Sequence, residues 1–199
     1  MDPEEVEFLG EKQLVTIVPL TTDDDYLKLI SGDFGPFRMG MPVKVPLWVA
    51  VQLKRQKHCK IQPPDWMEIE TLEAIKNEEK LSRNFTKMPS KFYMVEAKQI
   101  LGCASDDISR ADEIRTIIKD IWDIRMSKLR SSIDLLVRNN GASAVVTNLT
   151  LMEINSIRPI LPHTLDQIRR MKNFKPFHGW RSQDTSFVSD SRSSTSFHS

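Results

Sequence analysis

The stretch VPLWVAVQLKRQKHCKIQPPDWM, residues 45–67, changes character twice within a short length of chain. It begins as an apolar run, becomes strongly basic, and then breaks at two prolines before an acid and a tryptophan. Short segments typical of β-strands precede it, and patterns typical of helices follow it. The stretch can be a junction between two folded parts, a nucleic-acid contact or a reaction site, and the rest of the chain has to decide.

The part before the junction has the pattern of a small mixed unit. Residues 1–45 carry nine acidic and four basic side chains. LVTIVPL at residues 14–20 and YLKLI at 26–30 favour strands, and a short amphipathic helix over residues 4–12 can precede them. We therefore predict a small β-rich domain with a linking helix over residues 1–61.

The linking helix is predicted over residues 47–57, with Pro46 at its first position, where a missing N–H costs nothing. The five residues that follow Pro46 are apolar all round, which predicts burial on several sides. The basic residues after them have two interpretations. Lys54, Arg55 and Lys57 suit the negative C-terminal end of a helix.

The alternative interpretation of the basic residues is a contact with nucleic acid. With His58 and Lys60 they could make a weak, sequence-independent contact with a phosphate backbone. Single-strand binders usually interleave such bases with exposed aromatic residues. Trp48 and Trp66 lie on apolar helix faces instead, so we expect them in the core, and specific readout is not supported.

The chain after Pro63 is predicted to be almost wholly helical, as a helical domain over residues 62–176. Asp65, Ser90 and Ser109 are the expected N-caps of successive helices. The longest helix, over residues 110–137, would be about 40 Å long. A short helix and a last helix from about Thr164 follow. Eight serines and two threonines among residues 181–199 predict a disordered tail over residues 177–199.

Apolar residues recur along the longest helix at three- and four-residue steps, and a second stripe widens this face. The wide face has two interpretations: a central helix surrounded by its own bundle, or a surface covered by another chain. The first stripe is Ile114, Ile118, Trp122, Met126, Leu129, Ile133 and Leu136; the second is Ile117, Ile121 and Ile124.

No pattern of reactive residues emerges from the sequence. The four histidines are scattered singly, the two cysteines form no CxxC pair, and Asp33-Phe34-Gly35 lacks every other kinase motif. The pair Asp106-Asp107 is expected to be solvated. We predict no catalytic, metal or cofactor site, a reducing compartment, no secretory signal and no membrane span. An enzyme without a familiar motif remains open.

Several long segments carry a resemblance to a known family, in the same order along residues 1–172. The segments DPEEVEFLGEK, PVKVPLWVAVQLK, KIQPPDWM, ADEIRTIIKDIWDIRMSKLR and NLTLMEIN resemble the second-subunit (Psf-two type) family of the GINS complex, in its animal form. The resemblance implies an α+β, predominantly α fold, with a small β-rich domain before a larger helical bundle domain.

The resemblance also implies a function. Four related GINS subunits form a heterotetramer, which joins the MCM hexamer and the Cdc45 protein in the replicative CMG helicase for DNA replication in the nucleus. The family has no catalytic residues in this subunit. The alternatives are a standalone nucleic-acid-binding module that uses residues 54–60, and an unrecognised enzyme.

Three sets of residues are the resulting site hypotheses. The interdomain seam is predicted at Leu47, Trp48, Val51 and Trp66. The subunit interface is predicted at Ile117, Ile118, Ile121, Trp122 and Met126. A weak, non-specific contact with DNA is predicted for Lys54, Arg55, Lys57 and Lys60.

Overall fold

A helix and a small antiparallel sheet form the N-terminal part of the protein in a computed structural model, which describes residues 2–30, 32–138, 147–159 and 161–173. The predicted tail, residues 177–199, lies outside the described residues. The elements of the N-terminal part are α1 (Pro3–Gly10), β1 (Leu14–Pro19), β2 (Leu27–Leu29), β3 (Gly32–Phe34), β4 (Val43–Pro46), α2 (Leu47–Arg55) and β5 (Cys59–Gln62).

Strand β1 is the centre of a three-stranded sheet in the order β4-β1-β5, and both neighbours run antiparallel to it. Its side chains alternate as the sequence pattern predicts, with Val15 and Ile17 buried beside the more exposed Thr16. The short strands β2 and β3 pair with each other in a separate hairpin.

Helix α2 follows β4 without a loop, and Pro46 therefore lies one position before the helix instead of at its first position. Pro46 is the last residue of β4 and the N-cap of α2, not its first residue. Because β4 is an edge strand, the missing N–H of proline is tolerated there. The helix ends at Arg55, two residues earlier than predicted, and Lys57 adopts a φ of 62° in the turn into β5. Strand β5 has no counterpart among the strands that the sequence pattern predicts.

The helical part contains a 3-10 turn and five helices in the described residues. Helix α5 is 28 residues long, which corresponds to about 42 Å, and it packs against α3 and α4. The elements are the 3-10 turn (Asp65–Met67), α3 (Ile69–Leu81), α4 (Tyr93–Cys103), α5 (Ala111–Arg138), α6 (Leu151–Ile157) and α7 (Leu161–Asn173).

The predicted N-caps are displaced along the chain. Asp65 begins the 3-10 turn, and the cap position of α3 is Glu68. Phe92 caps α4, while the hydroxyl of Ser90 accepts a hydrogen bond from the Phe92 N–H. Arg110 has a φ of 59°, so α5 begins only at Ala111 and Ser109 lies before the cap.

One hydrophobic core connects the sheet to the helices. It contains residues of β1, β4, α2, α4 and the first half of α5, including Ile17, Leu47, Ile100 and Ile121. A smaller cluster of Phe85, Leu129 and Ile157 lies near the second half of α5. The α+β, predominantly helical fold class is therefore confirmed, with a small N-terminal sheet region followed by a helical bundle.

Candidate functional site

Most of the wide apolar face of α5 packs against other helices of the same chain. Ile117, Ile118 and Ile121 are 4%, 4% and 1% exposed and belong to the main core. The helices α3 and α4 of the same chain therefore cover most of these three side chains, and only the small exposed part of Ile118 lines an open surface. Trp122 and Met126 are half-buried and contact the two clusters from the side.

A narrow apolar groove remains open between α4 and α5. This α4–α5 groove has a volume of about 270 Å³. Its floor includes Ala97, Leu101 and Ile118, which are 3–4% exposed, and the Trp122 side chain forms part of one wall. The lining residues are Met94, Ala97, Lys98, Leu101, Gly102, Arg115, Ile118, Lys119 and Trp122.

The polar lining of the α4–α5 groove carries one sign of charge. Lys98, Arg115 and Lys119 contribute to the lining, and none of the described lining residues is acidic. Lys98 pairs with Glu7 at 2.6 Å and Arg115 with Asp112 at 2.8 Å. The ammonium of Lys119 has no ion-pair partner among the described residues. The groove is thus apolar at its floor and basic at its rim.

The predicted seam divides into buried and exposed residues. Leu47 and Val51 are buried in the main core, and α2 packs directly on α4. Trp66 packs against the same core and is half-buried. Trp48 is 41% exposed, so the expectation that it is a core residue is wrong. It lies on the side of α2 away from the core, because a nine-residue helix on a small sheet buries only part of its surface.

A polar contact also joins the two parts at the seam. Lys54 donates to Asp107 at 2.8 Å and to Asp106 at 3.0 Å. Asp107 in addition accepts the Ile61 N–H of β5 at 2.9 Å. The Asp107 side chain is only 8% exposed. The pair Asp106-Asp107 therefore connects the helical part to α2 and β5, and the expectation of a merely solvated pair is wrong for Asp107.

This contact removes part of the predicted DNA surface. The Lys54 side chain is 12% exposed and turned toward the two carboxylates, so it is not available to a phosphate backbone. Lys60 is exposed, yet it lies close enough to Asp106 to help lower the pKa of that carboxyl, after the larger effect of the Lys54 hydrogen bond. Arg55 and Lys57 remain exposed.

Helix α1 anchors the N-terminal end to α4. A Cβ added to Gly10 would lie 2.8 Å from a methyl carbon of Val95, so the end of α1 packs against the Val95 side chain with no room for a side chain of its own. Gln99 donates to Glu11 at 3.1 Å beside the Lys98–Glu7 pair. This anchor has no periodic pattern in the sequence and was not predicted.

A buried charge network lies at the centre of the helical part. Arg125 of α5 is fully buried and pairs with Glu79 of α3 at 2.8 Å and with Glu153 of α6 at 2.6 Å. Tyr93 of α4 donates its hydroxyl to Glu153 at 3.2 Å. Four helices therefore meet at one polar cluster.

The carboxylates of this network are well supplied with donors. Burial raises the pKa of Glu79, but hydrogen bonds from Lys128 and Thr86 and the charge of Arg125 outweigh it, so the pKa is lowered from its ordinary value. Glu153 accepts the Thr150 N–H at 2.8 Å as well as the guanidinium. The signal in the sequence is a charged residue on the apolar face of α5, four residues from Ile121 and four from Leu129.

The reactive groups near cavities do not form a catalytic arrangement in the described part of the chain. A pocket of about 440 Å³ in the N-terminal part is lined by Asp23, Asp25, His58 and Cys59 among others. Burial raises the pKa of the Cys59 thiol to about 11, so it stays protonated at neutral pH. Within the described ranges, no three His, Cys, Asp or Glu residues are placed to hold a metal ion.

The helices of the described ranges also include none that combines the length and hydropathy needed to cross a membrane. The α4–α5 groove is an open, mainly apolar surface that no described segment of the chain covers.

Comparison with known proteins adds a family match over both parts. The PSF2 N-terminal domain family matches residues 2–62, and the GINS complex protein helical bundle domain family matches residues 66–172. The "probable DNA replication complex GINS protein PSF2" of Drosophila melanogaster is 49% identical, over 98% of this chain and 95% of that protein. The "DNA replication complex GINS protein PSF2" of Homo sapiens is 48% identical, over 92% and 100%. The Xenopus laevis protein of the same name is 48% identical, over 86% and 92%.

Proposed function

The chain belongs to the PSF2 family of GINS proteins, and from this premise we propose that it is a non-catalytic subunit of the DNA replication complex. It contributes protein surface to the complex and no reacting group. The observation that carries the proposal is the α4–α5 groove, an apolar surface with a basic rim that no described part of the chain fills.

The partners in this proposal are the three other GINS subunits, which together with this chain make a heterotetramer. Through the tetramer the chain would join the MCM hexamer and the Cdc45 protein in the replicative helicase, in the nucleus. The support is the match along nearly the whole chain to relatives that are named as proteins of the DNA replication complex GINS. Trp122 and Met126 are the predicted interface residues that remain half-buried, so they are the part of that hypothesis that we retain.

The alternative of a standalone nucleic-acid-binding module has little support from the basic residues of α2 and β5. Lys54 is held by two carboxylates, and Lys60 lies near one of them. Only weak contact with DNA is expected from Arg55 and Lys57, since phosphate contacts add affinity in proportion to the number of free cations.

Co-expression tests the proposal. We expect the chain to elute with the three other GINS subunits as one species of defined 1:1:1:1 stoichiometry when all four are produced together. The chain produced alone should elute separately from this species and bind duplex DNA weakly at physiological salt. A monodisperse chain that enters no complex with the three subunits, or that binds DNA tightly with a steep salt dependence, would contradict the proposal.

A further inference from the structure

We propose that the α4–α5 groove binds an amphipathic α-helix of another GINS subunit, one whose apolar stripe is flanked by aspartate or glutamate. The inference rests on the proposed function, because it names the kind of partner that covers this surface. It concerns a surface formed by α4 and α5 together, which the wide apolar stripe of α5 alone did not indicate.

The dimensions of the groove fit a helix. On α4 the lining residues run from Met94 to Gly102, and on α5 from Arg115 to Trp122, at steps of three and four residues. Each wall is therefore about two helical turns, or about 11 Å, long. A third helix placed in the valley between two packed helices meets them with its i, i+3, i+4 and i+7 side chains. Such a helix buries four apolar side chains at most over this length.

The floor of the groove selects apolar side chains. Ala97 and Leu101 on one side and Ile118 on the other supply almost only carbon atoms, and Trp122 adds a half-buried indole at the end of the wall. A polar side chain buried there would find few partners and would lose its hydrogen bonds to water.

The basic rim of the groove favours acidic residues beside the apolar stripe of the bound helix. Its cationic side chains are Lys98, Arg115 and Lys119, and no acidic residue is among the described lining residues. Glu7 and Asp112 balance two of these charges from outside the groove, and Lys119 has no such partner among the described side chains. An acidic residue on the bound helix near Lys119 gains an ion pair, whereas a lysine or arginine there meets repulsion.

Gly102 provides a test that leaves the fold unchanged. It lies near the end of α4 and lines the groove, and a Cβ added to it would meet no atom within 4 Å. A side chain at this position therefore points into open space in the free chain. Gly102→Phe places a ring where the bound helix should lie, and Gly102→Ala is the matched control, because alanine favours the helix and adds only a methyl group.

The first experiment compares these two variants in the four-subunit co-expression. We expect Gly102→Ala to assemble like the unchanged chain, and Gly102→Phe to lower the apparent affinity for at least one other subunit tenfold or more. Far-UV circular dichroism of both variants should show the same helix content. Equal assembly of the two variants would overturn the inference and leave the proposed function standing.

The second experiment identifies the occupant. A photo-reactive benzophenone amino acid replaces Lys119 in the assembled complex, and the same reagent at the exposed Glu73 of α3 is the control. The expected product is a crosslink from position 119 to a peptide of another GINS subunit with apolar residues at helical spacing and adjacent acids. A crosslink to this chain itself, a crosslinked pair of two copies of this chain, or no crosslink would each overturn the inference.

The two proposals fail in different ways. If the unchanged chain does not assemble with the three subunits, the proposed function fails. If it assembles but position 119 does not crosslink to another GINS subunit, the inference fails and the proposed function stands.

Discussion

Replacement of Arg125 by methionine should destabilise the helical part strongly. Methionine keeps an unbranched apolar stem but is shorter than arginine and donates no hydrogen bond. Arg125 is fully buried, and its guanidinium uses all five N–H groups. The acceptors are both carboxylate oxygens of Glu153, one oxygen of Glu79, and the backbone carbonyls of Thr86 and Asn148.

The expected loss of stability follows from the buried carboxylates that remain in the Arg125→Met variant. Glu79 and Glu153 are both 0% exposed, and each loses its guanidinium partner in the substituted chain. Glu79 keeps Lys128 at 2.7 Å, and Glu153 keeps Tyr93 and a backbone N–H. Removal of one partner of a buried ion pair costs about 3–5 kcal/mol. For a chain of this size, that loss lowers Tm by about 6–20 °C.

Thermal and urea unfolding followed by far-UV circular dichroism measure this loss, in the purified four-subunit complex and in the free chain. Arg130→Met is the matched control, because Arg130 is exposed on the same helix and its loss should change stability by less than about 0.5 kcal/mol. The double variant Arg125→Met, Glu153→Gln should lose less stability than the sum of the losses of the two single variants, since the second substitution removes one unpaired carboxylate. A loss for Arg125→Met below about 1 kcal/mol, or equal to the control, would refute the reasoning.

Three further outcomes are expected. Asp107→Ala should lower the free energy of unfolding in urea by about 1–3 kcal/mol, because Lys54 and a buried N–H of β5 lose an acceptor. Asp106→Ala, at the exposed neighbour, should lower it by less than about 1 kcal/mol. Equal losses for the two variants would contradict the role of the seam contact. Burial raises the pKa of Glu96 despite opposing hydrogen bonds, so the ionised carboxylate destabilises the folded protein above the folded pKa. Glu96→Gln should therefore raise the free energy of unfolding at pH 7, and this gain should disappear below about pH 4.5. Unfolding curves measured at both pH values check this. The Cys59 thiol, 2% exposed with a pKa of about 11, should resist iodoacetamide at pH 8 until urea unfolds the chain, and rapid labelling of the native protein would contradict its burial.

Much of the secondary structure was predictable from local pattern. The alternation in β1 and the three- and four-residue steps of α5 depend on backbone periodicities of two and 3.6 residues, which a sequence displays directly. Element ends were less accurate, because Pro46 and Arg110 take conformations that depend on the neighbouring strand and loop. Strand β5 was missed since its four residues are too few to establish a period, and β1 specifies it by pairing.

The residues of the candidate site were only partly predictable. An apolar stripe indicates that a helix is covered, but it does not say by what. Ile117, Ile118 and Ile121 turned out to face the chain's own core, and the remaining open surface, at Trp122, is bordered by α4. A groove between two helices exists only after they pack, so no pattern within either helix displays it.

The sequence by itself determined the helices, the central strand, the lack of a familiar catalytic motif and the resemblance that led to the family. Tertiary structure alone decided which charges are buried and which surface stays free. Lys54 and Arg125 look like ordinary basic residues in the chain, yet Asp107, Glu79 and Glu153 reach them from 28 to 53 positions away. The physical reason is that periodicity is a property of neighbours along the backbone, whereas burial and ion pairing depend on which distant segments the fold brings into contact.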